Sequence, residues 1–93
     1  MERYWPGVMR SDVATTEEHL WRAADRLTRD GVPIRILSST WIPADEVVLT
    51  LFEAGREDDV LEVCRLCHYA FDRMQPVEVV TAARQRWRDE EHG

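Results

Sequence analysis

Lysine is absent from this chain, and all twelve basic residues are arginine. They are scattered from Arg3 to Arg88, so they read as the imprint of a GC-rich coding sequence and not as a phosphate-binding device. Positive charge is also outnumbered, since 18 Asp and Glu leave a formal net charge of -6. A polyanion meets net repulsion, which argues against DNA or RNA as a partner. No apolar run approaches the roughly 20 residues of a membrane-spanning helix. The opening Met1-Glu2-Arg3-Tyr4-Trp5-Pro6 lacks both the basic start and the apolar stretch of a secretory signal. The expectation is a cytoplasmic protein with no membrane contact. Also missing are a Gly-rich phosphate loop, a nucleophile, base and orienter set, and a His-x-x-x-His pair, so no definite reaction class is spelled out.

Cysteine is scarce too, with two residues in 93, but both fall in Cys64-Arg65-Leu66-Cys67-His68. That is the C-x-x-C-H spelling of c-type haem attachment. Placed on a helix of about 3.6 residues per turn, residues 56–69 set Val60, Val63, Cys64 and Cys67 on one stripe, the i, i+3, i+4, i+7 pattern of a helix packed on a sheet. Packing in the core therefore accounts for both thiols, because free cysteine behaves as a small hydrophobe. A redox pair is disfavoured, since the helix field lowers a thiol pKa at the N-terminus and this pair lies in the second half. Haem is disfavoured as well: small cytochromes carry the motif near the start of an all-helical chain, with an axial Met far downstream, whereas Met74 is only six residues past His68. Cys64 and His68, one turn apart, remain a candidate half-site for a transition metal, with Cys67 a weaker third candidate. His19 and His92 are the other imidazoles, and pattern brings neither to His68.

With 44% apolar and 32% charged residues the chain has the balance of one globular domain. Glu2 to Trp5 reads as a short strand stopped by Pro6-Gly7. A helix follows, capped by Ser11 or Asp12, or by the Thr15/Glu18 pair. Its apolar face is Val13, Thr16, Leu20, Ala23, Ala24 and Leu27, and Asp30-Gly31 ends it. Ile34 to Ile42 alternates as a strand, with Ile34, Ile36 and Ser38 on one side and Arg35, Leu37, Ser39 and Trp41 on the other. After a turn at residues 43–46, Val47 to Ala54 is a third strand. The second helix runs to about Tyr69, and Met74 to Thr81 is a fourth strand. The order β-α-β-β-α-β predicts an α+β, ferredoxin-like sandwich: a four-stranded antiparallel sheet with both helices on one face. Residues 1–82 form this single domain, and residues 83–93 are a charged tail or short helix anchored by Trp87.

With helices on one face, the other face of the sheet is open. Strand two gives it Arg35, Leu37, Ser39 and Trp41, and strand four Glu78 and Val80. Strand three gives either Val48, Thr50 and Phe52 or Leu49, Leu51 and Glu53, and pattern does not choose. Such a face is too apolar for solvent. Covered by the same face of a second copy, it becomes a dimeric αβ barrel with an internal cavity. The candidate lining is Tyr4, Trp5, Arg35, Trp41, Thr50, Phe52 and Glu78. The same side chains also read as plain dimer core with an Arg-Glu ion pair.

The stretches Glu2-Arg3-Tyr4-Trp5-Pro6-Gly7, Ser38-Ser39-Thr40-Trp41-Ile42-Pro43-Ala44-Asp45-Glu46-Val47 and Leu51-Phe52-Glu53-Ala54 resemble a family of small actinobacterial proteins. Its members are mostly labelled as a domain of unknown function, some as nickel-responsive or nickel-binding. The resemblance runs from about Glu2 to Val80 and implies a dimerising ferredoxin-like fold. Members begin several residues earlier, with an apolar run ahead of the Glu-Arg-Tyr segment, so this chain starts inside its first strand. They carry polar or small residues around Cys64 and Cys67, which makes the C-x-x-C-H peculiar to this chain. No nickel ligand transfers residue by residue.

The expected function is a homodimeric protein that binds a small ligand or a transition metal, nickel among them. An enzyme of the cyclase or monooxygenase kind, working in the barrel cavity, is the alternative on fold analogy. Its acid-base candidates are Tyr4, Glu53 and Glu78, with Arg35 stabilising an anion. A structural or interaction role is the third reading.

Overall fold

The computed structural model describes residues 1–78. It is an α+β fold with the order β1 (Glu2–Tyr4), α1 (Arg10–Arg29), β2 (Ile34–Ile42), a 3-10 turn (Pro43–Asp45), β3 (Val47–Ala54) and α2 (Glu57–Leu66). The three strands form an open antiparallel sheet in the order β1-β3-β2. β1 and β2 each run antiparallel to the central β3, so they are parallel to one another and α1 makes the crossover between them.

Helix α1 starts earlier than the Ser and Asp positions suggested. Met9 is its cap residue, and Asp12, already inside the first turn, accepts the Met9 N–H at 2.9 Å. Asp12 thus caps from the third helical position, where a carboxylate also meets the positive end of the helix dipole. The helix ends in a Schellman motif: Gly31 takes a φ of 96°, its N–H reaches the Thr28 carbonyl, and the Val32 N–H reaches the Leu27 carbonyl. The Thr28 hydroxyl then donates to the Ile34 carbonyl at 2.8 Å, tying the end of α1 to the start of β2.

The core lies between the two helices and one face of the sheet. Leu20, Ala23 and Ala24 of α1 meet Val60, Val63 and Cys64 of α2 over Ile34, with Ile36, Phe52 and Ala54 packed against them. Leu20 and Val63 are the most enclosed, at 1% and 0% exposure, and burial of each contributes roughly 1.5–3 kcal/mol. The helical stripes read from the sequence are the ones that pack here.

β2 does not alternate along its whole length. Ile34 pairs with Ala54 and Ile36 with Phe52, after which the register shifts, so that Ser38 pairs with Leu51, Ser39 with Thr50 and Trp41 with Val48. Leu37 is the extra residue of a β-bulge, and a bulge moves every later side chain to the other face. Ser39 and Trp41 therefore turn to the helix side beside Thr50 and Val48, which are 2% and 3% exposed, and not to the open side with Arg35. The open face carries Tyr4, Val47 and Ile42 in one cross-strand row, Glu2, Leu49 and Thr40 in the next, then Leu51 with Ser38 and Glu53 with Arg35.

Among the described residues the sheet has three strands where four were expected. Residues 74–78 are irregular, and the chain after α2 forms one β-bridge with the sheet among the described residues, Arg73 with Glu2, beside which Asp72 accepts the Tyr4 N–H. The rest of the expected fourth strand, residues 79–81, lies outside the described residues, as do the expected tail 83–93, Trp87 and His92. No helix of the described residues is long and apolar enough to cross a membrane.

Candidate functional site

The thiol segment is a helix terminus. α2 begins at Glu57 with three acidic residues, Glu57, Asp58 and Asp59, in its first turn and closes at Leu66 with Cys67 as the C-cap. His68 follows with a φ of 55°. The Tyr69 N–H donates to the Cys64 carbonyl at 2.8 Å and the His68 N–H to the Arg65 carbonyl at 3.4 Å, the two bonds of a Schellman motif. Tyr69 and Cys64 complete it by packing together in the core. Because His68 occupies the left-handed position, it leaves the helical path. The one-turn spacing that would set it over Cys64 stops at Cys67, and the imidazole is exposed.

Cys64 is buried and its Sγ lies 3.4 Å from Met1 Sδ. The Cys67 thiol donates to the Val63 carbonyl at 3.2 Å. Burial, and next the neighbouring Cys67, pushes the Cys64 thiol up to about 11, and burial also raises Cys67. Both thiols hold their protons at neutral pH, whereas metal ligation and nucleophilic attack need the thiolate. Among the described residues no group of three or more His, Cys, Asp or Glu is placed to hold a metal ion.

Of the seven residues expected to line one cavity, five divide between the two faces of the sheet and two, Trp5 and Glu78, lie outside its strands. Tyr4 and Arg35 are on the open side, where Arg35 forms a two-pronged ion pair with Glu53, Nε to Oε1 at 3.1 Å. Trp41, Thr50 and Phe52 are on the helix side. Thr50 lies 3.4 Å from the Ser39 hydroxyl, and the Trp41 indole N–H is enclosed with no acceptor among the described residues. Glu78 is exposed beyond the sheet. Trp5 follows the end of β1, its N–H bound to the Glu46 carbonyl at 2.7 Å.

No family model, curated protein or solved structure matches the chain.

Two residues at the helix side were not singled out by sequence. The Arg3 guanidinium sits 3.8 Å above the Trp5 ring and 4.9 Å from the Tyr69 ring, a cation held between two aromatic faces. Tyr69 is 8% exposed. Burial raises its phenol, and the Arg3 charge opposes that shift without cancelling it. The only sequence signal for this trio was the Arg-Tyr-Trp run at residues 3–5; its partner from position 69 is supplied by the fold. The open face is the more accessible surface: Tyr4, Leu37 and Leu49 are 56%, 46% and 38% exposed.

Proposed function

We propose that the protein is a homodimer that apposes two open sheet faces and holds a small ligand between them. The observation that carries this reading is the composition of that face. Tyr4, Val47, Ile42, Leu49 and Leu51 make a continuous apolar surface across all three strands, and such patches mark interfaces. Glu2, Ser38, Thr40 and the Arg35–Glu53 pair give it polar points that orient a ligand.

A ferredoxin-like topology belongs to the same proposal. It is supported by the β1-β3-β2 order, by the parallel β1 and β2 that α1 joins across β3, and by Arg73 lying on the outer side of β1, where a fourth strand would pair. Membership of the small actinobacterial family that the sequence resembles is part of it as well. For a transition metal such as nickel, His68 turns out of the helical path away from Cys64 and no group of three His, Cys, Asp or Glu assembles around them among the described residues, so the ligand is assigned to the open face. Glu53, the carboxylate beside Arg35, is engaged in an ion pair with it, which favours recognition over acid-base catalysis there.

Native mass spectrometry of the wild-type protein tests the reading directly. The expected species is twice the 10.9 kDa chain, with retained ligand as added mass. Leu49→Asp and Tyr4→Asp place a charge on exposed positions of the face, so they should keep the circular dichroism of the fold and release the monomer. A wild-type monomer at micromolar concentration, or variants that remain dimeric, would overturn the proposal.

A further inference from the structure

The chain has two cysteines and three methionines, and all but the exposed Met9 meet at one place. Cys64 belongs to the buried cluster, and Met1, Cys67 and Met74 pack against that cluster. The backbone brings three of the sulfurs close. β1 pairs with β3 as Glu2 with Leu49 and Arg3 with Val48, and the Thr50 N–H donates to the Met1 carbonyl at 2.8 Å. That register sets Met1 opposite Thr50 and turns its side chain, like that of Arg3, to the helix side. There Met1 Sδ lies 3.4 Å from Cys64 Sγ. Cys67 follows one turn later on the same stripe of α2. Side chains on a helix lean toward its N-terminus, so Cys67 reaches back over Cys64: its Sγ is 3.2 Å from the Val63 carbonyl oxygen and 3.9 Å from that of Cys64. Cys64 is buried and Cys67 half-buried, which leaves the cluster open to solvent on the Cys67 side.

We propose that Cys64, Cys67 and Met1 form a binding site for a soft monovalent cation, Cu(I). The donor chemistry decides the metal. Two thiolates and a thioether are the soft set that selects Cu(I), whereas imidazole and carboxylate suit nickel and other divalent ions better. His68, turned outward in the left-handed conformation, takes no part. The spacing fits as well. An ion about 2.3 Å from each sulfur holds a pair of sulfurs about 3.7–4.0 Å apart at tetrahedral to trigonal angles, so Cys64 and Met1 need to separate only slightly from 3.4 Å. Cys67 completes the set by turning its thiol from the Val63 carbonyl to the ion. Binding displaces protons: copper bonds form to both thiol sulfurs, the two S–H protons leave to solvent, and no electron is transferred. The centre then carries one net negative charge. Arg3 faces it from β1, its guanidinium 4.9 Å from the ring of Tyr69, which packs in the same cluster as Cys64.

The test is an anaerobic titration of the whole chain with Cu(I), supplied as its acetonitrile complex and competed by the chelator bicinchoninate. The ¹³C-methyl signals of the methionines are read in parallel. The expected result is one Cu(I) per chain, two protons released per ion, and a shift of the Met1 methyl while that of Met9 stays in place. Cys64→Ser and Cys67→Ser should each weaken binding at least about tenfold, and His68→Ala should leave it unchanged. Where Cys64→Ser does not fold, the wild-type Met1 signal and Cys67→Ser, at a half-buried position, decide. Complete loss of copper to bicinchoninate, an unmoved Met1 methyl, equal affinity for Zn(II) or Ni(II), or loss of binding in His68→Ala overturns the proposal. Leu49→Asp changes the opposite face of the sheet and should keep the copper site in a monomer, so the metal site and the dimer are tested separately.

Discussion

Replacing His68 by glycine should stabilise this protein, although His68 looks from the sequence like its most chemical residue. α1 and α2 end in the same motif, and the left-handed position is filled by Gly31 in one and His68 in the other. A side chain at that φ costs about 1–2 kcal/mol through contact of Cβ with the carbonyl that follows. Glycine removes this cost, and its greater freedom in the unfolded chain gives back about 0.4–1 kcal/mol. The net gain is about 0.5–1 kcal/mol, a rise in melting temperature of roughly 2–8 °C for a chain of this size. His68→Val should move the other way by about 1–3 kcal/mol, because a β-branched residue at positive φ is strained. Thermal unfolding at pH 8 by circular dichroism, with a chelator present and absent, reads both changes. A lower melting temperature for His68→Gly, or a gain that disappears when the chelator is omitted, would refute the assignment of Cys64 to His68 as a helix terminus in favour of a ligand role.

The buried acids predict alkaline sensitivity. Cys64, Cys67 and Tyr69 all have folded pKa values above their ordinary ones, so each supports the folded state fully below its unfolded pKa. That support is lost as pH rises through the folded value: the melting temperature should fall between about pH 9 and 11, and less in Cys64→Ala than in wild type. Thiol reactivity follows the same shift. A pKa raised from 9.0 to about 11 leaves about 100-fold less thiolate at neutral pH, so mass spectrometry should show Cys64 alkylated at least that much more slowly than a free thiol, and comparable rates would contradict its burial. Leu20→Ala should cost about 2–5 kcal/mol in a urea titration, whereas Arg35→Ala, which breaks an exposed ion pair, should cost no more than about 1 kcal/mol. Similar losses for the two would be inconsistent with a core placed between the helices and the sheet.

Local spacing sufficed for the helices and for much of what they bury. Leu20, Ala23 and Ala24, and then Val60, Val63 and Cys64, recur at three and four residues and pack as that period requires. Gly31 stops α1 where only a residue at positive φ can close the motif. These features depend on a residue and its near neighbours, so one sequence carries them. The strand faces were less legible. Ile34 to Ile42 has a period of two, but the pairing partner sets the phase, and β3 accommodates β2 only with Leu37 as an extra residue. That one-residue bulge sent Trp41 and Ser39 to the helix side and split the expected cavity lining in two.

The C-x-x-C-H segment shows the same division. Its spacing placed the thiols on the stripe of α2 facing the core. The fold then decided that the helix ends at Leu66, that His68 turns left-handed and outward, and that Tyr69 comes back under Arg3. A helix end is set by what the next residues pack against, and Tyr69 packs into a core whose members come from both helices and the sheet. Composition, the order of the elements from β1 to α2 and the helix stripes were thus determined by the chain itself. Which strand face meets the helices and where α2 stops were decided only by the tertiary structure, because each depends on contacts between residues far apart in sequence.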